Sequence, residues 1–137
     1  MAKKIETYVD TSALIAFLDR SDTYHPLFFR LFADPPLLVT SPLVVAEGHG
    51  WFLRRYDRTR ALQFIVMVES MRPLKVCSIG TKEQHSSYEL LRKFADQNLT
   101  LTDAVGLYVM NDLGMKSCWS SGFHLGLTGV ALVINAY

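Results

Sequence analysis

An alternation along the chain narrows its fold more than any other feature. Short β-prone runs at residues 5–9, 37–40, 74–79, 117–120 and 130–134 are separated by segments with the apolar spacing of helices. The first helical stretch covers 13–18. Ser21-Asp22 opens a second, through Tyr24, Phe28 and Phe32, which Pro35-Pro36 stops. Ser41-Pro42 is a cap with proline at the first helical position, leading a third helix through Glu47 and Trp51. Residues 59–71 form a fourth, ended by Pro73, and Thr81 to Gln84 have capping-box spacing ahead of a helix to about Asp96. The last helix carries Asp103 and stops at Gly114. This order predicts a three-layer α/β fold with a central, mostly parallel sheet of four to five short strands flanked by helices. Ligands of such folds sit outside the carboxyl ends of the strands.

The 137 residues suit a single domain spanning 1–137. Half are hydrophobic and a fifth charged, which excludes a disordered tail. Fourteen basic residues against thirteen acidic ones leave the chain almost neutral, so any nucleic-acid site has to be local. Cys77 and Cys118 lie far apart in strand-like contexts and read as buried free thiols of a reducing cytosol. The N-terminal residues carry no apolar signal core, and no uncharged run reaches the ~18 residues of a membrane span. A cytoplasmic protein with no membrane association is expected.

Three acids stand in unusual surroundings. Asp10 closes the first strand and precedes Thr11-Ser12; Glu47 lies among Val44, Val45, Ala46 and Gly48; Asp103 follows Thr100-Leu101-Thr102 at the start of an apolar helix. Each has an ordinary reading on its own: Asp10 and Asp103 as helix caps, Glu47 as a solvent-facing residue. Taken together, one strand end and the first turns of two helices can face the same edge of a sheet. Carboxylates gathered there repel one another unless a cation intervenes. Mg²⁺ or Mn²⁺ suits an all-oxygen site, activates a bound water and neutralises a phosphodiester during displacement.

The segments Tyr-Val-Asp-Thr-Ser-Ala-Leu (8–14), Val-Val-Ala-Glu (44–47) and Phe-Ala-Asp-Gln-Asn-Leu-Thr-Leu-Thr-Asp-Ala-Val (94–105) resemble the three acidic motifs of PIN-domain proteins. The likeness is nearest to the VapC-type toxins of toxin–antitoxin pairs, and it runs over essentially the whole chain. It implies a PIN fold, Mg²⁺- or Mn²⁺-dependent endoribonuclease activity, homodimers and inhibition by a small antitoxin. By the same match Asp10, Glu47 and Asp103 are the catalytic, metal-coordinating acids, and Ser12 helps to position them. The sequence departs from the pattern at one place. The family commonly has a fourth acid in a Thr-Phe-Asp-like motif followed by a histidine and an aromatic. Here the segment is Ser120-Ser121-Gly122-Phe123-His124, with Gly122 in the acid's place and Ser120 retaining the hydroxyl. That substitution supports an alternative, a weakened PIN domain acting as an RNA- or protein-binding module.

Other polar residues read more plainly. His25, His49, His85 and His124 lack zinc-like spacing and are expected at the surface or in packing. Asp96 is expected as a polar helix end, and the stripe Tyr24, Phe28, Phe29, Phe32 as core or dimer interface. Arg54, Arg55 and Arg58 around Tyr56 form a basic stretch that can track an RNA backbone or simply solvate a helix junction. The expectation is therefore a metal-dependent ribonuclease that hydrolyses RNA phosphodiesters with a metal-activated water and no protein nucleophile.

Overall fold

The computed structural model describes residues 6–136. Five strands form one parallel sheet: β1 (Glu6–Val9), β2 (Leu37–Thr40), β3 (Leu74–Val76), β4 (Ser117–Trp119) and β5 (Ala131–Leu132). Six helices connect them: α1 (Thr11–Leu18), α2 (His25–Leu31), α3 (Pro42–Arg55), α4 (Arg58–Ser70), α5 (Thr81–Lys93) and α6 (Leu101–Asp112). The strand order is β3-β2-β1-β4-β5. From β1 the chain winds outward through β2 to β3, then returns to the other side of β1 with β4. The winding direction thus reverses between β1 and β4, and in such sheets that reversal is where the ligand crevice forms, outside the carboxyl ends.

Sequence patterning accounts for most boundaries. β2 falls where it is expected, with Leu38, Val39 and Thr40 buried, and the Ser41 hydroxyl caps α3 by accepting from the Val44 amide at 3.3 Å. The central strands β1, β2 and β4 are largely buried on both faces, as their apolar runs require, while the edge strands β3 and β5 are more exposed. Tyr8, Val9, Leu14, Val44, Phe52, Phe64, Val105, Leu107 and Met110 are closed to solvent and make up the core.

Several local expectations are corrected. The second helix begins at His25, not behind Ser21-Asp22, because Asp22 accepts from the Tyr24 amide at 2.8 Å and holds that segment in a turn. α4 covers Arg58–Ser70 and not 59–71, because Asp57 caps it, its carboxylate accepting from the Arg60 amide at 2.8 Å. Thr81 forms no capping box: Gly80 is the extended N-cap and Thr81 is already helical, while α5 ends at Lys93. β3 stops at Val76, and past Leu132 the chain tightens into a 3-10 turn, Val133–Ala136. Ile5, expected to open the first strand, lies outside the described residues. The aromatic stripe divides: Phe28 and Phe32 are core, whereas Tyr24 and Phe29 are exposed.

Among the described residues no helix is long and apolar enough to cross a membrane. Cys118 is buried in β4 and Cys77 half-buried just past β3, both as free thiols whose pKa values burial raises.

Candidate active site

Asp10 sits at the reversal point. It follows β1 directly, its amide donates to the Trp119 carbonyl at 2.9 Å, and it is the extended N-cap of α1. Its side chain makes no cap bond to the helix. The carboxylate turns instead to the end of β4, where Ser120 donates to Oδ2 at 3.0 Å and Ser12 donates to the same oxygen at 3.1 Å. The two hydroxyls are 3.2 Å apart, and the Ser121 amide donates to Ser12 at 3.0 Å. Ser12 and Ser120 thus bind the ends of neighbouring strands to one carboxylate.

Asp103 comes from α6. Gly106, one turn further on and on the same helix face, makes its approach possible. A Cβ at that position would lie 2.9 Å from the Tyr8 ring, so only glycine lets α6 lie this close to β1. Asp103 completes a capping box: its amide donates to Thr100 Oγ1 and its Oδ2 accepts from the Thr100 amide, each at 3.1 Å. The cap consumes Oδ2 and leaves Oδ1 for a further partner. Capping and ligand binding, rival readings of the sequence, are therefore compatible in one side chain.

The electrostatics couple the two acids. Burial pushes the Asp10 carboxyl up to about 6, the Asp103 charge pushes in the same direction, and the hydrogen bonds from the Thr11 amide, Ser120 and Ser12 hold it back. Among the described residues no lysine or arginine pairs with either carboxylate. The one basic contact among those residues is His124, whose Nδ1 lies 3.5 Å from Asp103 Oδ2 and carries charge only when protonated. His124 was expected to be a surface or packing residue, yet it stands in the site. The signal was its place two residues after Gly122, but a contact with Asp103, 21 positions away, has no trace in linear spacing.

Glu47 occupies the second turn of α3, half-buried, on a helix that packs against both α1 and α6. Next to it, Gly48 faces Phe64 of α4 so closely that an added Cβ would lie 2.2 Å from the ring. Glu47 forms no hydrogen bond or ion pair with the described residues. Among those residues, no three His, Cys, Asp or Glu side chains form a ready-made cation cage. The structure thus unites Asp10 and Asp103 with Ser12, Ser120 and His124, and places Glu47 on an adjoining helix without closing the triad.

The donor set nevertheless fits a hard divalent ion. It offers carboxylate and hydroxyl oxygens with no soft ligand, and an uncompensated pair of acids that a cation would relieve. Such ions take few protein ligands and keep several waters.

Arg54, Arg55 and Arg58 are exposed, but they lie away from this crevice. Arg55 follows Glu47 by eight residues, about 12 Å along α3. Tyr56 beside it donates to Asp19 Oδ1 at 2.9 Å, and Asp19 is the C-cap of α1, at the opposite end of that helix from Asp10. His25 is a packing residue, with Nδ1 2.7 Å from the Ala16 carbonyl.

Comparison with solved structures identifies the architecture. VapC20 of Mycobacterium tuberculosis, described as a sarcin–ricin-loop-cleaving toxin, superposes with a TM-score of 0.84 over 91% of this chain and 96% of that one, at 22% identity. The fold is the PIN-like fold of VapC toxins. VapBC2 of Rickettsia felis, solved bound to a DNA fragment from its promoter, shares the PIN-like fold with a TM-score of 0.65, 11% identity and coverage of 93% and 97%. No protein-family model and no curated relative matches the sequence.

Proposed function

We propose that this protein is a metal-dependent endoribonuclease of the VapC toxin kind, with Asp10, Glu47 and Asp103 as its metal-binding acids. The observation that carries the reading is the Asp10–Asp103 pair at the strand-order reversal of a PIN-like sheet. A desolvated carboxylate beside a second one, with no lysine or arginine among the described residues to balance them, is costly unless a cation is bound. Mg²⁺ or Mn²⁺, when bound, would lower the pKa of a water and offset charge on the scissile phosphate. The chain itself supplies the rest. Ser12 and Ser120 hold Asp10 in one orientation, and the capping box holds Asp103. Glu47 completes the oxygen set from α3, and the N-terminal end of α6 favours an anionic substrate. In this reading the metal-bound water, and not a side chain, is the nucleophile. Arg54, Arg55 and Arg58 take no part in the chemical step, and serve as a backbone-tracking surface for a longer RNA.

By the same reading the protein works in the cytoplasm, forms a homodimer and is restrained by a small antitoxin. The likeness to a VapC toxin and to a VapBC assembly supports this. A second reading, a weakened PIN domain that binds RNA or a protein, is favoured by Gly122, because only the Ser120 hydroxyl and not a fourth carboxylate stands at that corner. Cleavage of RNA with Mn²⁺, with and without EDTA, tests the first reading. Metal-free binding without cleavage would favour the second.

A further inference from the structure

The segment leaving β4 presents an aromatic side chain that the fold does not use. Phe123 is 65% exposed, more than any other large hydrophobic side chain among the described residues. Its surroundings are nevertheless fixed on both sides. Before it, the Gly122 amide donates to Ser120 Oγ at 3.1 Å, and Ser120 holds Asp10. After it, the Gly126 amide donates to the Phe123 carbonyl at 3.0 Å and Leu125 is buried, so the 3-10 turn His124–Gly126 is anchored in the core. The His124 ring lies 4.4 Å from the Phe123 ring, at 59°, while its Nδ1 approaches Asp103. An exposed aromatic face is therefore tied to Asp103 through its neighbour His124, and to Asp10 through Gly122 and Ser120.

We propose that Phe123, braced by His124, is a stacking platform that seats one unpaired nucleobase of the RNA beside the Asp10 and Asp103 carboxylates. This rests on the ribonuclease reading and adds to it a residue that selects single-stranded substrate. Charge argues for such a contact. The chain is nearly neutral and its arginine stretch lies at the far end of α1, so beyond the N-terminal end of α6 little positive charge attracts phosphate near Asp10. Stacking on an aromatic ring is indifferent to that shortage and accepts any base. A protein partner fits less well. The residues flanking the ring, Ser120, Ser121, Gly122 and His124, are polar or bare, and the buried centre of a protein interface is apolar.

The test uses short single-stranded oligoribonucleotides carrying one 2-aminopurine, bound to the full chain in EDTA so that cleavage does not intervene. Wild type should bind and quench the fluorophore at one position. Phe123→Ala and Phe123→Leu should lose that quenching and bind roughly 5- to 150-fold more weakly, by the same factor at low and high salt. Phe123→Trp should restore both. Because the ring is mostly exposed, all three variants should keep the wild-type melting temperature. Binding and quenching unchanged in Phe123→Ala would overturn the platform alone, and would reassign the ring to a protein contact. No RNA binding by wild type would overturn the platform as well. Failure of the ribonuclease reading shows separately, as the absence of Mn²⁺-dependent cleavage.

Discussion

Ser120 donates its hydroxyl to Oδ2 of Asp10 across 3.0 Å, joining residues 110 positions apart at the ends of β4 and β1. This bond stabilises the charged form of a carboxylate that burial and Asp103 push towards protonation. Replacing Ser120 by alanine should therefore raise the Asp10 pKa above about 6. Carboxyl titration by NMR would show it, together with several-fold weaker Mn²⁺ binding at pH 6 that recovers at pH 8. An unchanged titration would mean that Ser120 does not tune Asp10.

The raised Asp10 pKa has a consequence for stability with a definite sign. Between the ordinary carboxyl value near 4 and about 6, the folded protein holds a proton at Asp10 that the unfolded chain has lost. Stability of the metal-free protein should therefore fall as pH rises through that window, with Asp10 accounting for on the order of 2–3 kcal/mol. Asp10→Asn should remove this dependence and leave the metal-free protein more stable than wild type at pH 7. Urea unfolding at pH 5 and pH 7 measures both. A wild type more stable at pH 7, with no effect of Asn on the difference, would contradict the raised Asp10 pKa.

Gly122 leaves room for the acid it lacks. A Cβ there would meet only Ser120 Oγ, at 3.8 Å, and the backbone is not in the left-handed region. Gly122→Asp should fold normally and bind Mn²⁺ about tenfold more tightly, from one added charge–cation contact worth roughly 1–2 kcal/mol. Calorimetry decides: equal or weaker affinity would show that the corner at Gly122 does not reach the ion.

Gly48 places α3 against α4, and with it the helix that carries Glu47. Its Cβ position lies 2.2 Å from the end of the buried Phe64 ring. Gly48→Ala should cost about 1–3 kcal/mol by overpacking, seen as a lower melting temperature. No loss would mean that the two helices are free to separate there.

The sequence carried the layout of the sheet and the position of Asp10, because local signals mark both. Ser41-Pro42 punctuates β2, and an acid at a strand end lies at a ligand-binding edge whatever the details. It was silent where only tertiary contact decides. Thr81 had the spacing of a cap, but Gly80 takes the extended conformation and moves the helix start by one residue. The arginines are near Glu47 in sequence, yet a helix running back from the sheet edge carries them away from the crevice. His124 meets Asp103 only because the turn after β4 folds against α6. Asp103 itself looked like a choice between cap and ligand, and the geometry makes it a cap with one oxygen to spare.

The central claim, a metal-dependent ribonuclease built on Asp10 and Asp103, is tested most directly by single-turnover cleavage of RNA in Mn²⁺. Wild type should cleave, EDTA should stop it, and Asp10→Asn and Asp103→Asn should each reduce the rate by two or more orders of magnitude while remaining folded. Cleavage that persists in EDTA, or in both variants at the wild-type rate, would contradict it.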